Sequence, residues 1–419
     1  MSTTFDADVL VAGLGTAGAA ATALCARHGL RVIGLDAQPL DRAGPSWGNA
    51  VPDWCFEAAG FAKPKAPERI SSPARFHLIA GFERVTAAGA DLHELSMPLL
   101  MRRLLAEADR AGADLRGGVR VQRIDGHHIH TNMGSLRARW VLDAAGMHGV
   151  SGPRVPRAWR CIAAQRTFAL RSRDAAEAWF TRHGAAPGEV LCFSAIAGGY
   201  AILNLRLDGD HLAVLTGALP GRGHRSGPTL MDHFVAEHDW VGDRLSGGQR
   251  AIPLIPPPVR LHDGPLARIG DAAGQVYAMH GSGVGAGLIA ARLYADTIAS
   301  GLGPEGYTVA WQRRWGGSFA ASWRFMALSA TLKQSDVATM MRVGLMTPTM
   351  LREGLEQHPP GLPMRDLPGI LRSSLRAPAQ AAKILPVAAA MAALRAHHAA
   401  YPRDPRRVAA WARARQRWL

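Results

Sequence analysis

The feature that most constrains this fold is a glycine-rich turn near the start of the chain. Gly13, Gly15 and Gly18 satisfy GxGxxG in the run GLGTAG. An apolar run, Asp8–Ala12, precedes it and reads as a buried parallel strand. The Ala-rich stretch Ala19–His28 follows as a helix stopped by Gly29. Arg31–Asp36 reads as a second strand, so the opening is a βαβ unit with an acidic residue closing its second strand. Gly13 permits the tight turn, Gly15 lets backbone approach a pyrophosphate, and Gly18 lets the helix lie close to the strand. The helix start then offers unpaired N–H groups and a positive dipole end to phosphates. Asp36 is placed to accept from ribose hydroxyls, and its charge disfavours a 2′-phosphate. The turn implies a dinucleotide; by itself it does not say which one.

A dinucleotide unit of this kind needs further layers to bury its sheet, and 419 residues with 48% hydrophobic and 19% charged composition provide them. Lys plus Arg is 48 against 33 Asp plus Glu, a net charge of +15. The excess is Arg spread along the chain rather than one basic groove, so no nucleic-acid partner is expected. Cys25, Cys55, Cys161 and Cys192 lie far apart without a CxxC, so neither a zinc site nor a disulfide framework is indicated. No apolar stretch reaches membrane-spanning length, and the N-terminus runs straight into the first strand, leaving no room for a signal peptide. A cytoplasmic location is expected.

The segment from Gly44 to Pro73 reads as a long loop with one short helix, and Pro98–Arg110 as an amphipathic helix. Val119–His130 reads as a hairpin turning at Asp125–Gly126. Trp140–Ala144 is another buried strand, stopped at Gly146. From Ala158 to about Leu261 alternating runs surround one helix, Thr229–His238, the pattern of an antiparallel sheet. Leu266–Asp271 returns to a core strand and leads through a glycine-rich turn into the helix Leu288–Ala299. From Tyr307 onward the chain reads as mostly helical.

The segment Arg268–Gly285, RIGDAAGQVYAMHGSGVG, resembles the second FAD motif of the geranylgeranyl reductase family, within the wider p-hydroxybenzoate hydroxylase-like flavoprotein group. Val141–Arg154 (VLDAAGMHGVSGPR) is similar to that group's middle motif, and the order of motifs agrees over most of the first 330 residues. The resemblance implies FAD as cofactor. It also implies an α/β fold: a Rossmann-type FAD-binding domain (1–157 and 262–305), an inserted antiparallel β-sheet substrate domain (158–261) and a helical C-terminal region (306–419). By it, Gly270 and Asp271 hold the ribityl and pyrophosphate region, Gly146 belongs to the middle turn, and Gly281, Gly283 and Val284 line the flavin. On the substrate side, Gly198–Leu205 (GGYAILNL) stands where the family carries Tyr-x-Trp-x-Phe-Pro. Tyr200 is kept, and Ile202, Asn204 and Leu205 replace Trp, Phe and Pro. Ala278, Met97 and the pair Ser46–Trp47 also depart from the family's usual residues.

The implied activity is reduction of a carbon–carbon double bond in an apolar, isoprenoid- or polyene-like substrate. The electron donor would be external: NAD(P)H, ferredoxin or a flavin reductase. Two rivals stay open, an FAD-dependent monooxygenase of an aromatic or polyketide-like substrate and a lycopene-cyclase-like enzyme without net redox change. His280, in the flavin-facing turn, and Tyr200 are the candidate proton donors. Tyr200 and Asn204 are expected on one side of their strand, with Asn204 demanding a polar group from the substrate. Trp47, Gly48 and Asn49 are placed to wall the flavin pocket. Ser151 and Arg154 lean toward the monooxygenase reading. His127, His128 and His130 read as a solvated hairpin tip, and no metal site is expected. The basic C-terminus, with Arg403, Arg406, Arg407, Arg413, Arg415, Arg417, Trp411 and Trp418, reads as a solvated helix face or as a peripheral contact with a membrane.

Overall fold

The computed structural model describes residues 5–152, 154–358 and 366–419. Residues 1–4, with which the chain was read as entering its first strand, lie outside them, as does Pro153 of the middle motif. The nucleotide layer is an eight-stranded sheet among the described residues. Its parallel part runs in the order Leu266–Arg268, Gly134–Asp143, Ala7–Ala12, Val32–Leu35, Asp114–Arg116. The first strand is central, and all its residues but Asp8 are apolar and buried because both faces are covered. Helices Thr16–Arg27, Met97–Arg110 and Val284–Ala299 form one covering layer, and their Ala, Leu and Gly positions share a core with Val9, Val11 and Leu142. The predicted hairpin is present, with strands Val121–Asp125 and His128–Thr131 continuing into Gly134–Asp143.

The second layer is a seven-stranded sheet. Its order is Val241–Pro253, Arg160–Leu170, His211–Ala218, Ile202–Asp208, Val190–Ser194, Arg75–Ala80, Glu83–Ala88. All pairs are antiparallel except Val190–Ser194 with Arg75–Ala80. The sheet therefore draws two strands from the N-terminal segment, where the sequence reading had it wholly within 158–261. One face packs on helices Arg173–Arg182 and Gly227–Ala236 through Leu203, Leu205, Leu212, Val214, Trp179 and Phe234. The other face looks toward the nucleotide layer. Between the layers lies a small sheet, Gly48–Val51, His93–Ser96 and Arg69–Ser71. The segment read as a loop thus carries two strands besides its expected helix, Asp53–Ala59.

Beyond Gly303 the described residues are helical, with Pro378–Ala399 lying along Gly317–Ser329. Among the described residues no helix is long and apolar enough to cross a membrane. The basic tail is only partly a solvated face. Arg403, Arg406, Arg407, Arg413 and Arg417 are exposed, but Trp411 and Arg415 are buried. Trp411 stacks on His397 at 4.6 Å, and the Arg415 guanidinium donates to the Pro257 carbonyl at 2.7 Å.

Candidate flavin and substrate site

The glycine turn shows three different environments. Gly13 has φ +97°, and a Cβ there would sit 2.6 Å from the Ala144 carbonyl oxygen, so it needs both left-handed backbone and close approach. A Cβ at Gly18 would sit 1.9 Å from the Gly13 carbonyl oxygen. A Cβ at Gly15 would meet nothing within 4 Å, and no side chain caps the helix that begins after it. Open space in front of an uncapped helix start is what a pyrophosphate requires. Asp36 accepts from the backbone N–H of Leu14 and of Gln38, both at 2.8 Å, which fixes its carboxylate beside the turn. Each oxygen keeps a lone pair for a ribose hydroxyl.

The later motif comes to the same place. A Cβ on Gly270 would lie 3.1 Å from Ala17, and one on Gly287 would lie 3.0 Å from it. Gly270 has φ +62°, and its N–H donates to Gln275, whose amide donates in turn to the Tyr307 hydroxyl at 2.7 Å. The strand expected through Asp271 ends at Arg268, and Gly270–Ala273 forms a helical turn. The Asp271 carboxylate has no hydrogen-bond donor among the described residues. Burial pushes its pKa up to about 6, opposed by the positive charge of Arg250. A carboxylate in a cradle with no donor of its own suits the hydroxyls of a ribityl chain. Gly283 faces it, with a Cβ position 3.2 Å from Asp271 Oδ1, and Val284 begins the helix. The residues present fit FAD.

The middle turn is held by a network that the motif alone did not reveal. Asp143 is fully buried and accepts from the Ala145 N–H, the Ser151 N–H and the Ser151 hydroxyl, the last at 2.6 Å. Arg268 donates to the Ser151 hydroxyl and carbonyl oxygens. Ser151 is thereby engaged as a structural clasp. Gly146, at φ +78°, has open space around its Cβ position.

Tyr200 stands just before the strand that carries Asn204, which begins at Ile202 after Gly198 and Gly199, both at positive φ. Tyr200 is buried among Cys161, Leu254, Ala278 and Trp323, and its hydroxyl donates to the Ala278 carbonyl at 2.9 Å. That hydroxyl lies 3.3 Å from the Cβ position of Gly281, so it braces the flavin-facing turn. Its pKa is pushed upward by burial. His280 sits in that turn, edge-on to Tyr277 at 5.7 Å, and burial lowers its pKa to about 4. It is neutral at pH 7, which removes the imidazolium but leaves one N–H to donate.

Asn204 lines a cleft of about 130 Å³ between the sheet and the segments 48–50 and 90–94. Its walls include Phe76, Leu92, Val190, Leu215 and Leu355. Gly48 and Asn49, expected at the flavin, line this cleft, and a side chain at Gly48 would collide with Glu94 at 2.6 Å. Trp47 precedes them in the chain. The Arg250 guanidinium is 5.5 Å above its ring and donates to the Gly44 carbonyl. The cleft carries two charged residues. Arg206 is buried in its wall and pairs with Glu94 at 2.5 Å, and Gln165 donates to Glu94 at 3.0 Å. Arg206 stands two residues after Asn204, so strand alternation pointed to it. Glu94 and Gln165 come from distant strands and carried no local signal.

His130 pairs with Ser135 and Arg123 at the surface hairpin. Asp53, Asp91 and His93 converge within 4.8 Å, but Arg69 binds both Asp53 oxygens at 2.7–2.8 Å and His93 bonds Asp91 and Ser72. That cluster is satisfied internally and ties the small sheet to helix Asp53–Ala59.

No protein-family model matches the chain. A digeranylgeranylglycerophospholipid reductase of Sulfolobus acidocaldarius is 31% identical over 110 residues, which is 26% of this chain and 24% of that protein. The match thus spans about a quarter of that relative's length. Among solved structures, a geranylgeranyl bacteriochlorophyll reductase-like protein from Thermoplasma acidophilum superposes with a TM-score of 0.71 at 15% identity, over 91% of this chain and 99% of that one. The flavin-dependent brominase Bmp2 gives 0.61 at 14% identity, over 88% and 98%. PqsL of Pseudomonas aeruginosa, named a probable FAD-dependent monooxygenase, gives 0.57 at 16%, over 80% and 96%. The fold is that of the FAD-dependent reductases and monooxygenases, and within that group the chain resembles the geranylgeranyl reductases in both sequence and structure.

Proposed function

We propose that this chain is an FAD-dependent oxidoreductase that reduces a carbon–carbon double bond of a largely apolar substrate, with electrons from an external donor such as NAD(P)H, ferredoxin or a flavin reductase. The observation that carries the reading is the Asp271 carboxylate, which no donor among the described residues satisfies, beside Gly270, which packs on Ala17 just after the open space at Gly15. Bound FAD would supply hydride-transfer chemistry. Gly15 and the helix start after it would bind the pyrophosphate, Asp36 the adenosine ribose, and Asp271 with Gly270 the ribityl chain. Gly281, Gly283 and Val284 would present backbone N–H groups to the flavin edge where negative charge grows on reduction. Tyr200 would position that turn through its bond to Ala278 rather than release a proton. His280 would act as a hydrogen-bond donor, since its lowered pKa leaves little imidazolium at neutral pH. Asn204 would orient the substrate.

The polar end of the cleft, with Arg206, Glu94 and Gln165, favours a second reading, a monooxygenase of an aromatic or polyketide-like substrate. Oxygen separates the two. Purified protein should be yellow and release FAD on denaturation. Reduced anaerobically, it should convert an isoprenoid alkene to the saturated product without oxygen. Product formed only in air, with one oxygen atom incorporated, overturns the reductase reading. A protein that takes up no added FAD overturns both.

A further inference from the structure

Two polar atoms of the cleft wall decide what can fill it. The Asn204 Oδ1 is buried with no partner among the described residues, and so is Arg206 Nε on the same strand. Whichever way the Asn204 amide is turned, one of its ends lacks a bond. The guanidinium is otherwise committed: to Glu94 at 2.5 Å, to Asp208 at 3.4 Å and to the Ser71 hydroxyl. Two carboxylates hold this one guanidinium, Glu94 of the lining and the more exposed Asp208 outside it, so its charge is already balanced. Glu94 and Arg206 are the charged members of the lining, Asn49, Gln165 and Asn204 its polar ones, and the remainder is apolar or glycine.

We propose that the cleft takes a substrate with an apolar body and one neutral, hydrogen-bonding head group, a hydroxyl or a carboxamide, seated against Asn204 and the Arg206–Glu94 pair. A hydrocarbon end would leave Asn204 unsatisfied in a dry site, at a cost of roughly 1–3 kcal/mol. A carboxylate end would meet an arginine whose charge Glu94 and Asp208 already balance. A hydroxyl or amide both donates and accepts, so it satisfies the open atoms without adding charge. This rests on the cleft being the substrate site of the reading above, but it is tested by binding, which needs neither turnover nor bound flavin.

The test uses the full-length protein, with and without FAD, and four probes of one chain length: octanamide, octan-1-ol, octanoate and 1-octene. Dissociation constants are read from tryptophan emission, competing each probe against the others. Octanamide and octanol should bind wild type at least fivefold more tightly than octanoate. Asn204→Leu should weaken octanamide at least fivefold and leave 1-octene within twofold. Glu94→Gln, which frees the guanidinium, should tighten octanoate at least fivefold. Octanoate binding wild type as well as octanamide does overturns the proposal, as does failure of all four to bind, and neither result depends on a variant folding. An equal change for octanamide and 1-octene in Asn204→Leu also overturns it. Loss of FAD uptake with this pattern intact would instead count against the flavin reading alone.

Discussion

At the scale of single residues, the glycines of one motif make different demands, and that difference separates a cofactor role from a packing role. Gly18 has no room for a methyl group, since its Cβ position is 1.9 Å from a backbone oxygen, whereas Gly15 has open space and an extended backbone any residue can adopt. Gly15→Val should therefore leave the thermal midpoint of the flavin-free protein within about 2 °C of wild type while cutting FAD retention at least tenfold. Gly18→Val should yield little folded protein. A Gly15→Val protein that keeps full flavin would show the pyrophosphate lies elsewhere. Asp271 gives a second residue-scale prediction. Its folded pKa, about 6, lies above the ordinary 3.8. Between those values the folded protein holds a proton that the unfolded chain has released, so the group's contribution to stability falls as pH rises, and the full penalty is present above about pH 6. Flavin-free Asp271→Asn should accordingly be more stable than wild type at pH 8, by roughly 1–3 kcal/mol, and indistinguishable from it near pH 4. It should also hold FAD more weakly. Denaturant melts at the two pH values check the first part and flavin absorbance the second.

At the scale of elements, what was legible in the sequence was what local pattern encodes. The strand–glycine–helix opening and the hairpin at Asp125–Gly126 came from spacing alone. The later flavin motif was found by resemblance, and it meets the first turn at Ala17. Two things were not legible. The parallel pairing of Val190–Ser194 with Arg75–Ala80 joins strands more than a hundred residues apart, and nothing in either run names its partner. The Glu94–Arg206–Gln165 group assembles from three separate strands. The pairing has a consequence. An excised fragment 158–261 would expose the edge of Val190–Ser194, with Leu191 and Phe193 next to it, and lose the chain that covers it. Such a fragment should be unfolded or aggregated by circular dichroism and size exclusion. One that folds and unfolds cooperatively would mean that residues 75–88 add no essential cover.

At the scale of the whole molecule, the C-terminal region secures the junction between the two layers. After the strand Val241–Pro253 the chain returns to the nucleotide sheet through Pro256, Pro257, Pro258 and Val259. Proline has no N–H to pair in a sheet, so the carbonyls of this stretch need donors from elsewhere. The helical region provides them. Gln312 donates to the Pro258 and Val259 carbonyls, Tyr401 to Val259 at 3.1 Å, and Arg415 to Pro257. Trp411 closes the group against His397, His398 and Tyr401. Charges on the outer face of the same tail play no part in these bonds. Two sets of substitutions therefore divide the tail. Trp411→Ala removes a buried ring, at a cost of about 3–5 kcal/mol, and should lower the melting temperature by about 5–10 °C with loosened FAD retention. Arg413→Gln with Arg417→Gln touches only exposed charge and should leave the melting temperature within about 1 °C. If the tail also meets a lipid surface, this second pair alone should reduce sedimentation with anionic phosphatidylglycerol vesicles, because the attraction is carried by exposed arginine and screened by salt. Equal thermal loss in both sets would contradict the clamp, since it would mean that the outer arginines hold the junction as firmly as the buried indole does.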